Sequence, residues 1–110
     1  MIVGVLKEIK VKENRVAMTP AGVATMNHNG HQVWVEKGAG LKSGFSDKDY
    51  REAGAAIKSS AAQIFRKAEM VMHVKEPQPS EFEMIRRDQI VFTYLHLAAD
   101  VYQDTVKKYG

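Results

Sequence analysis

Residues 19–36, TPAGVATMNHNGHQVWVE, predict a helix that leads directly into a strand. Thr19 can accept a backbone N–H at a helix start, and Pro20 suits the first helical position. Gly30 is typical of a helix C-terminus, and the Val- and Trp-rich run Gln32–Glu36 is typical of a strand. A strand that precedes this helix would therefore be connected to Gln32–Glu36 by a helical crossover.

The same alternation of apolar runs and helix signals extends along the chain. Strands are predicted at 1–6, 32–36, 70–74 and 89–94, with a weaker one at 55–57. Further helices are predicted from the Ser46 cap to Gly54, from Ser59 or Ser60 onward, over 80–87 and over 100–108. Since parallel strands need crossover connections, this order favours an α/β fold. We expect an open, mostly parallel, Rossmann-like sheet of about five strands with helices on both faces.

Composition limits the classes of protein and of site. The 110 residues are 45% hydrophobic and 26% charged, which fits one globular domain over 1–110. A net charge of +3 without a run of like charges gives no sign of nucleic-acid binding. Because the chain has no Cys, disulfides and thiolate metal sites are excluded. No apolar stretch is long enough for export or a membrane span, so the expected location is the cytoplasm.

Polar side chains follow the predicted strands at the edge where open parallel sheets bind ligands. Arg15 lies in the loop after the first strand, Lys75 directly follows the third run, and His96 comes soon after the last. An Arg can fork onto a carboxylate, a Lys adds positive charge and a His can move a proton, so the three would suit a small anionic substrate. Each also has a structural interpretation: a surface Arg, an exposed strand-end Lys and a hydrogen-bonded His.

Other patterns favour structural roles. The glycines at 38, 40 and 44 do not have the spacing of a dinucleotide-binding G-x-G-x-x-G turn, and a turn leading to the Ser46 cap fits better. His28 and His31 flank a helix stop without a carboxylate or Cys companion, so no metal site is predicted. His73 lies within a predicted strand, which favours a structural role.

Several ordered motifs together resemble bacterial alanine dehydrogenases. They are KEIK at 7–10, ENRVAMTPAGV at 13–23, VEKGAG at 35–40, VKEP at 74–77 and FTYLHLAA at 92–99. The resemblance implies NAD-dependent oxidative deamination of L-alanine to pyruvate and ammonia, in either direction. It also implies that Arg15 holds the substrate carboxylate and that Lys75 contacts this carboxylate and the reacting centre. His96 would hydrogen-bond the pyruvate oxygen or relay a proton.

The resemblance also sets expectations for the rest of such an enzyme. Family members continue well beyond this length, through a domain that binds NAD, and they are typically hexameric. Residues 1–110 would therefore be a substrate-side segment without turnover of its own. Leu6 and His73 depart from the family, which often has Pro and Lys there.

Two other functions remain open. One is a fragment of the nucleotide-binding component of proton-translocating transhydrogenases, which the His96-containing run disfavours. The other is a non-catalytic module for small-acid binding or oligomerisation.

Overall fold

The computed structural model describes residues 1–9, 14–75 and 77–93. Its strands are β1 (Ile2–Val5), β2 (Gln32–Glu36), β3 (Ala56–Lys58), β4 (Met70–His73) and β5 (Ile90–Thr93). Its α-helices are α1 (Pro20–His28), α2 (Asp47–Glu52) and α3 (Ala61–Lys67), and two 3₁₀-helices cover Leu41–Ser43 and Pro79–Met84.

The strands form one sheet in the order β3-β2-β1-β4-β5. Every strand pair in the described residues is parallel, with Val5 opposite Val35 in β2 and Met72 in β4. From β1 the chain proceeds outward to β2 and β3 on one side, and it then returns to the other side of β1 to form β4 and β5. The order therefore reverses between β1 and β4, and a crevice is expected beyond the carboxyl ends of these two strands.

Helices cover both faces of the sheet, as the sequence predicts. On one face Val23 of α1 and Tyr50 of α2 are fully buried in a cluster with inward-facing valines of β1 and β2. On the other face Ile64 of α3 packs in a second cluster. A Cβ on Gly4 would come within 2.2 Å of the Ile64 side chain, so α3 lies close against the central strand. The predicted α/β class is confirmed.

The predicted helix starts are formed by side-chain caps. Thr19 accepts the Gly22 N–H at 3.2 Å, and Ser46 accepts the Asp49 N–H at 3.1 Å. Ser60 caps α3 in the same way. The glycine-rich stretch forms a turn and the short 3₁₀-helix Leu41–Ser43, and it leads to the Ser46 cap. The interpretation as a turn is confirmed.

The segment 80–87 differs from the predicted helix. Only the 3₁₀-helix Pro79–Met84 forms, and Ile85 is extended. The Gln89 side-chain amide donates to the Phe65 and Ala68 carbonyls, both at 2.7 Å, and Arg86 donates to the same two carbonyls. The chain is thus drawn toward the end of α3, whose last carbonyls have no partner within the helix. The helix predicted over 100–108 lies outside the described residues. In the described part of the chain, no helix has the length and apolar character needed to cross a membrane.

Candidate functional site

A cleft lies beside the carboxyl ends of β1 and β4, on the face that carries α1. Its volume is about 440 Å³, and it is open to solvent. The residues that bound it come from the loop before α1, the turn before α2 and the end of β4: Arg15, Val16, Ala17, Thr19, Ser43, Phe45 and Val74. One guanidinium, two hydroxyls and mostly apolar walls suit a small anion with an aliphatic part.

Two side-chain hydrogen bonds hold the loop that carries Arg15. The Ser43 hydroxyl donates to the Asn14 carbonyl, and the Tyr50 hydroxyl donates to the Met18 carbonyl at 2.8 Å. Burial raises the pKa of Tyr50 to about 12, with a smaller contribution from the Asp49 charge, so its hydroxyl remains a donor at physiological pH. The loop is therefore tied to the turn before α2 at one end and to α2 at the other.

The three sequence-predicted site residues are placed differently. Arg15 bounds the cleft and is exposed. Lys75 is half-buried and directly follows Val74, which bounds the cleft, but Lys75 is not itself part of the wall. His96 lies outside the described residues. The structure thus brings Arg15 and Val74, the residue before Lys75, to one edge of the sheet.

On the opposite face of the same edge, three buried side chains form what we call the strand-end cluster: Glu8, His73 and Glu81. His73 Nδ1 lies 2.8 Å from Glu8 Oε2, and His73 Nε2 lies 2.6 Å from Glu81 Oε2. The three side chains are 4%, 1% and 1% exposed, respectively. The imidazole is therefore held between two carboxylates out of water.

Glu8 and Glu81 also accept backbone N–H groups around Lys75. The Val74 and Lys75 N–H groups each donate to the Glu8 carboxylate at 3.0 Å. The Gln78 N–H donates to Glu81 at 2.9 Å. The strand-end cluster therefore fixes the chain before and after Lys75.

The carboxylates determine the charge of His73. Burial lowers its pKa, but the hydrogen bonds and charges of Glu8 and Glu81 outweigh burial and raise the pKa to about 9. At neutral pH His73 is accordingly a cation between two acidic side chains. Nearby, burial raises the pKa of Glu36, an effect that the Lys7 N–H bond to its carboxylate at 2.9 Å partly opposes.

The glycine-rich turn at 38–44 does not have the form of a dinucleotide site. A Cβ on Gly40 would approach the Tyr50 ring to 2.6 Å, so the space above the glycine-rich turn is filled by this chain's own side chain. A turn that binds a pyrophosphate leaves that space open to the ligand and leads into a helix whose N–H groups face the phosphates. Here the turn instead closes on itself through Leu41–Ser43.

Comparison with known proteins identifies the family of this chain. Residues 4–109 match the family described as alanine dehydrogenase/PNT, N-terminal domain. The chain belongs to this family. It is 55% identical over 100 residues to the alanine dehydrogenase of Methanococcus maripaludis and 56% identical over 100 residues to that of Bacillus subtilis. Each match covers 91% of this chain and 27% or 26% of the relative, so the chain spans about a quarter of their length.

Solved structures agree with this membership of the alanine dehydrogenase/PNT family. An L-alanine dehydrogenase superposes with a TM-score of 0.91 at 44% identity, over 100% of this chain and 30% of that one. A transhydrogenase from Sinorhizobium meliloti superposes with a TM-score of 0.88 at 28% identity, over 99% and 32%. The resemblance read from the motifs is confirmed.

The strand-end cluster of this alanine dehydrogenase/PNT domain was not predicted. His73 was interpreted as structural because it lies within a strand, and Glu8 was only one of several charged residues after β1. The sequence feature that could have indicated this cluster is that Glu8 and His73 are both polar residues at the ends of apolar strands. Since 65 residues separate Glu8 from His73, only the parallel pairing of β1 with β4 shows that they meet.

Proposed function

We propose that this chain forms the substrate-side part of an NAD-dependent alanine dehydrogenase, which interconverts L-alanine with pyruvate and ammonia. The observation that carries the proposal is the position of Arg15 in the wall of a small cleft at the reversal point of the sheet. The high identity to two alanine dehydrogenases favours the same chemistry. NAD would accept and return the hydride, and it would be bound outside the residues described.

The roles of the site residues follow from their chemistry. The planar guanidinium of Arg15 would bind the substrate carboxylate through two parallel hydrogen bonds. Lys75 would add positive charge at the carboxylate and the reacting centre. His96 would hydrogen-bond the carbonyl oxygen or relay a proton. The apolar walls formed by Phe45 and Val74 suit the methyl group of alanine.

We place the enzyme in the cytoplasm, as a homo-oligomer whose full assembly is a hexamer. The substrates are small molecules, and neither nucleic acid nor a membrane is a partner in this proposal. The isolated chain is expected not to reduce NAD with L-alanine, because turnover requires the nicotinamide to be held against the substrate.

A chimera tests the proposal. This chain would replace the equivalent segment of the Bacillus subtilis alanine dehydrogenase, and NADH oxidation with pyruvate and ammonium would be measured. We expect activity in the chimera. A folded chimera that binds NADH but has no activity would refute the proposed function.

Arg15→Lys in this chimera tests the role of the guanidinium. An ammonium cannot form the two-pronged contact, so KM for pyruvate should rise about tenfold or more. Arg66→Lys is the matched control, because Arg66 is exposed on α3, which packs on the opposite face of the sheet. An unchanged KM for pyruvate in Arg15→Lys would remove Arg15 from the site.

The structural likeness to a transhydrogenase supports a second candidate, a transhydrogenase-type nucleotide-binding component. The isolated chain distinguishes the two. Pyruvate should raise its melting temperature if it carries the substrate side of an alanine dehydrogenase. Stabilisation by a dinucleotide, without an effect of pyruvate, would favour the second candidate. Stabilisation by pyruvate in a chain whose chimera is inactive would indicate the third possibility, a small-acid-binding module.

A further inference from the structure

We propose that Glu8 is a positioning residue for substrate binding: held by His73 and Glu81, its carboxylate fixes the backbone at Val74 and Lys75. This inference rests on the proposed function, in which Lys75 contacts the substrate. It assigns a purpose to the strand-end cluster, whose three residues are not among those that bound the cleft and, in the roles given above, do not contact the reacting atoms.

The backbones of β1 and β4 separate just beyond their carboxyl ends. Among the described residues, the last backbone hydrogen bond between them runs from the Leu6 N–H to the Met72 carbonyl at 3.2 Å. Beyond it the chain from β1 leads toward α1, while the chain from β4 leads toward the second 3₁₀-helix, Pro79–Met84. The Val74 and Lys75 N–H groups are therefore beyond the reach of the β1 backbone, and buried N–H groups need acceptors.

Glu8 supplies those acceptors with both of its oxygens. Oε2 accepts from the Val74 N–H and faces His73, while Oε1 accepts from the Lys75 N–H. A carboxylate can do this because it presents two acceptor oxygens, whereas an amide presents only one. The Glu8 side chain thus continues the β1–β4 pairing past the end of the strand.

The charge of Glu8 also requires compensation. Glu8 and Glu81 are almost completely buried, and a buried carboxylate is stable only with a charged or hydrogen-bonding partner. His73 provides a cation to both, and its raised pKa agrees with that geometry. A cationic His73 therefore compensates the charge of the Glu8 carboxylate, whose oxygens accept the Val74 and Lys75 N–H groups.

The chain after Lys75 is held by the same cluster. Glu81 accepts the Gln78 N–H and contacts His73, so the start of the second 3₁₀-helix is tied to the same imidazole. Lys75 consequently lies between two anchored backbone segments. A side chain that must meet a substrate gains from such anchoring, because small displacements of a positioned group weaken binding and reaction.

Other charged groups lie near the cluster and are common to all the comparisons below. Glu36 interacts electrostatically with both Glu81 and His73, and Lys7 is paired with Glu36 through its backbone. Lys75 itself follows the cluster. Because none of these residues is altered, ratios between variants at one pH isolate the effect of the cluster.

Glu8→Gln in the active chimera is the main test. The amide would leave one backbone N–H without an acceptor and would place its NH₂ group against a donor. We expect KM for pyruvate to rise about fivefold or more while KM for NADH stays unchanged, since only the substrate side is displaced. General damage to the fold would raise both.

Glu69→Gln is the matched control. Glu69 accepts the Ile2 N–H at 3.2 Å, so it is also a carboxylate that bridges β1 and β4, but it lies at the opposite end of the pair. It should leave both KM values unchanged. A rise in the pyruvate KM of equal size in Glu69→Gln would overturn the proposal.

His73 variants test the proposal even if Glu8→Gln fails to fold. His73→Lys preserves a cation between the carboxylates and should keep the pyruvate KM at neutral pH, whereas His73→Gln should raise it. Above about pH 9 the unsubstituted chimera should lose pyruvate affinity relative to His73→Lys, because a Lys retains its proton to higher pH. A purely structural His73 would give no such pH-dependent ratio.

The outcomes separate this inference from the proposed function. If the unsubstituted chimera is active, and if His73→Gln and every folded Glu8 variant keep its pyruvate KM at all pH values, the positioning role is wrong and the proposed function stands. If the unsubstituted chimera folds and binds NADH without turning over pyruvate, the proposed function itself fails.

Discussion

At each end of the β1–β4 pair, a glutamate carboxylate accepts backbone N–H groups. One carboxylate is exposed and the other is buried. At the amino end, the exposed Glu69 accepts the Ile2 N–H, and its own N–H donates to the Ile2 carbonyl at 2.8 Å. At the carboxyl end, the buried Glu8 accepts two N–H groups and faces a cationic His73. A carboxylate in water needs no partner, whereas a buried one needs several. Of these two ends, it is the one beside the cleft that holds its carboxylate buried against a cation.

Glu8→Ala should give the largest effect. It removes one partner of a buried ion pair and leaves two backbone N–H groups without acceptors, so unfolding free energy should fall by about 3–5 kcal/mol. Urea denaturation of this chain measures the loss, with Glu69→Ala as the control at the amino end. Equal losses in the two variants would contradict the contrast between the ends.

The pH dependence of stability should show the carboxyl-end cluster directly. The pKa of His73 is raised from 6.5 to about 9 in the folded chain, so its contribution is complete below about pH 6.5 and is lost as pH rises through about 9. The loss should be on the order of 3 kcal/mol across that window. Urea denaturation at a series of pH values measures it.

His73→Gln is the control for this window, because glutamine does not titrate. Its unfolding free energy should be lower than that of the unsubstituted chain at pH 6.5 and should vary much less up to pH 9. A stability that stays level or increases with pH in the unsubstituted chain would show that His73 is not a cation in the fold.

Strands and helix starts could be predicted from the sequence because their signals are local. The run at 32–36 matches β2, and the caps at Thr19 and Ser46 begin helices as expected. The helix predicted over 80–87 was wrong, because the conformation of this segment depends on hydrogen bonds from Arg86 and Gln89 to the end of α3. Local propensity contains no information about those acceptors.

At the edge with the cleft, the sequence indicated Arg15 in the loop after β1 but not the strand-end cluster. Arg15 was placed at the ligand edge, and the structure puts it in the cleft wall. The strand-end cluster depends on the pairing of distant strands and on Glu81, which reaches the cluster from the second 3₁₀-helix. The roles of Arg15, Lys75 and His96 stay predictions.

Tyr50→Phe tests an uncharged hydrogen bond near the carboxyl ends of the strands. It removes the hydroxyl that donates to the Met18 carbonyl and leaves that acceptor without this bond, so unfolding free energy should fall by about 1–2 kcal/mol. The ring, which packs against Phe45 at a centroid distance of 6.3 Å, is retained. Thermal or urea unfolding measures the change, and a loss of less than about 0.5 kcal/mol would show that the loop before α1 is held by other contacts.

Glu69→Gln should have the smallest effect, because two small contributions oppose each other. The amide oxygen can still accept the Ile2 N–H, so the hydrogen bond survives without its charge. The carboxylate also lies just after Ala68, the C-cap of α3, where a negative charge is unfavourable, and its removal is slightly stabilising. The net change in unfolding free energy should therefore lie within about 0.5 kcal/mol and shrink further in high salt. A loss as large as that of Tyr50→Phe would mean that the amino end also depends on a charged bridge, and the two ends of the sheet would then differ only in exposure.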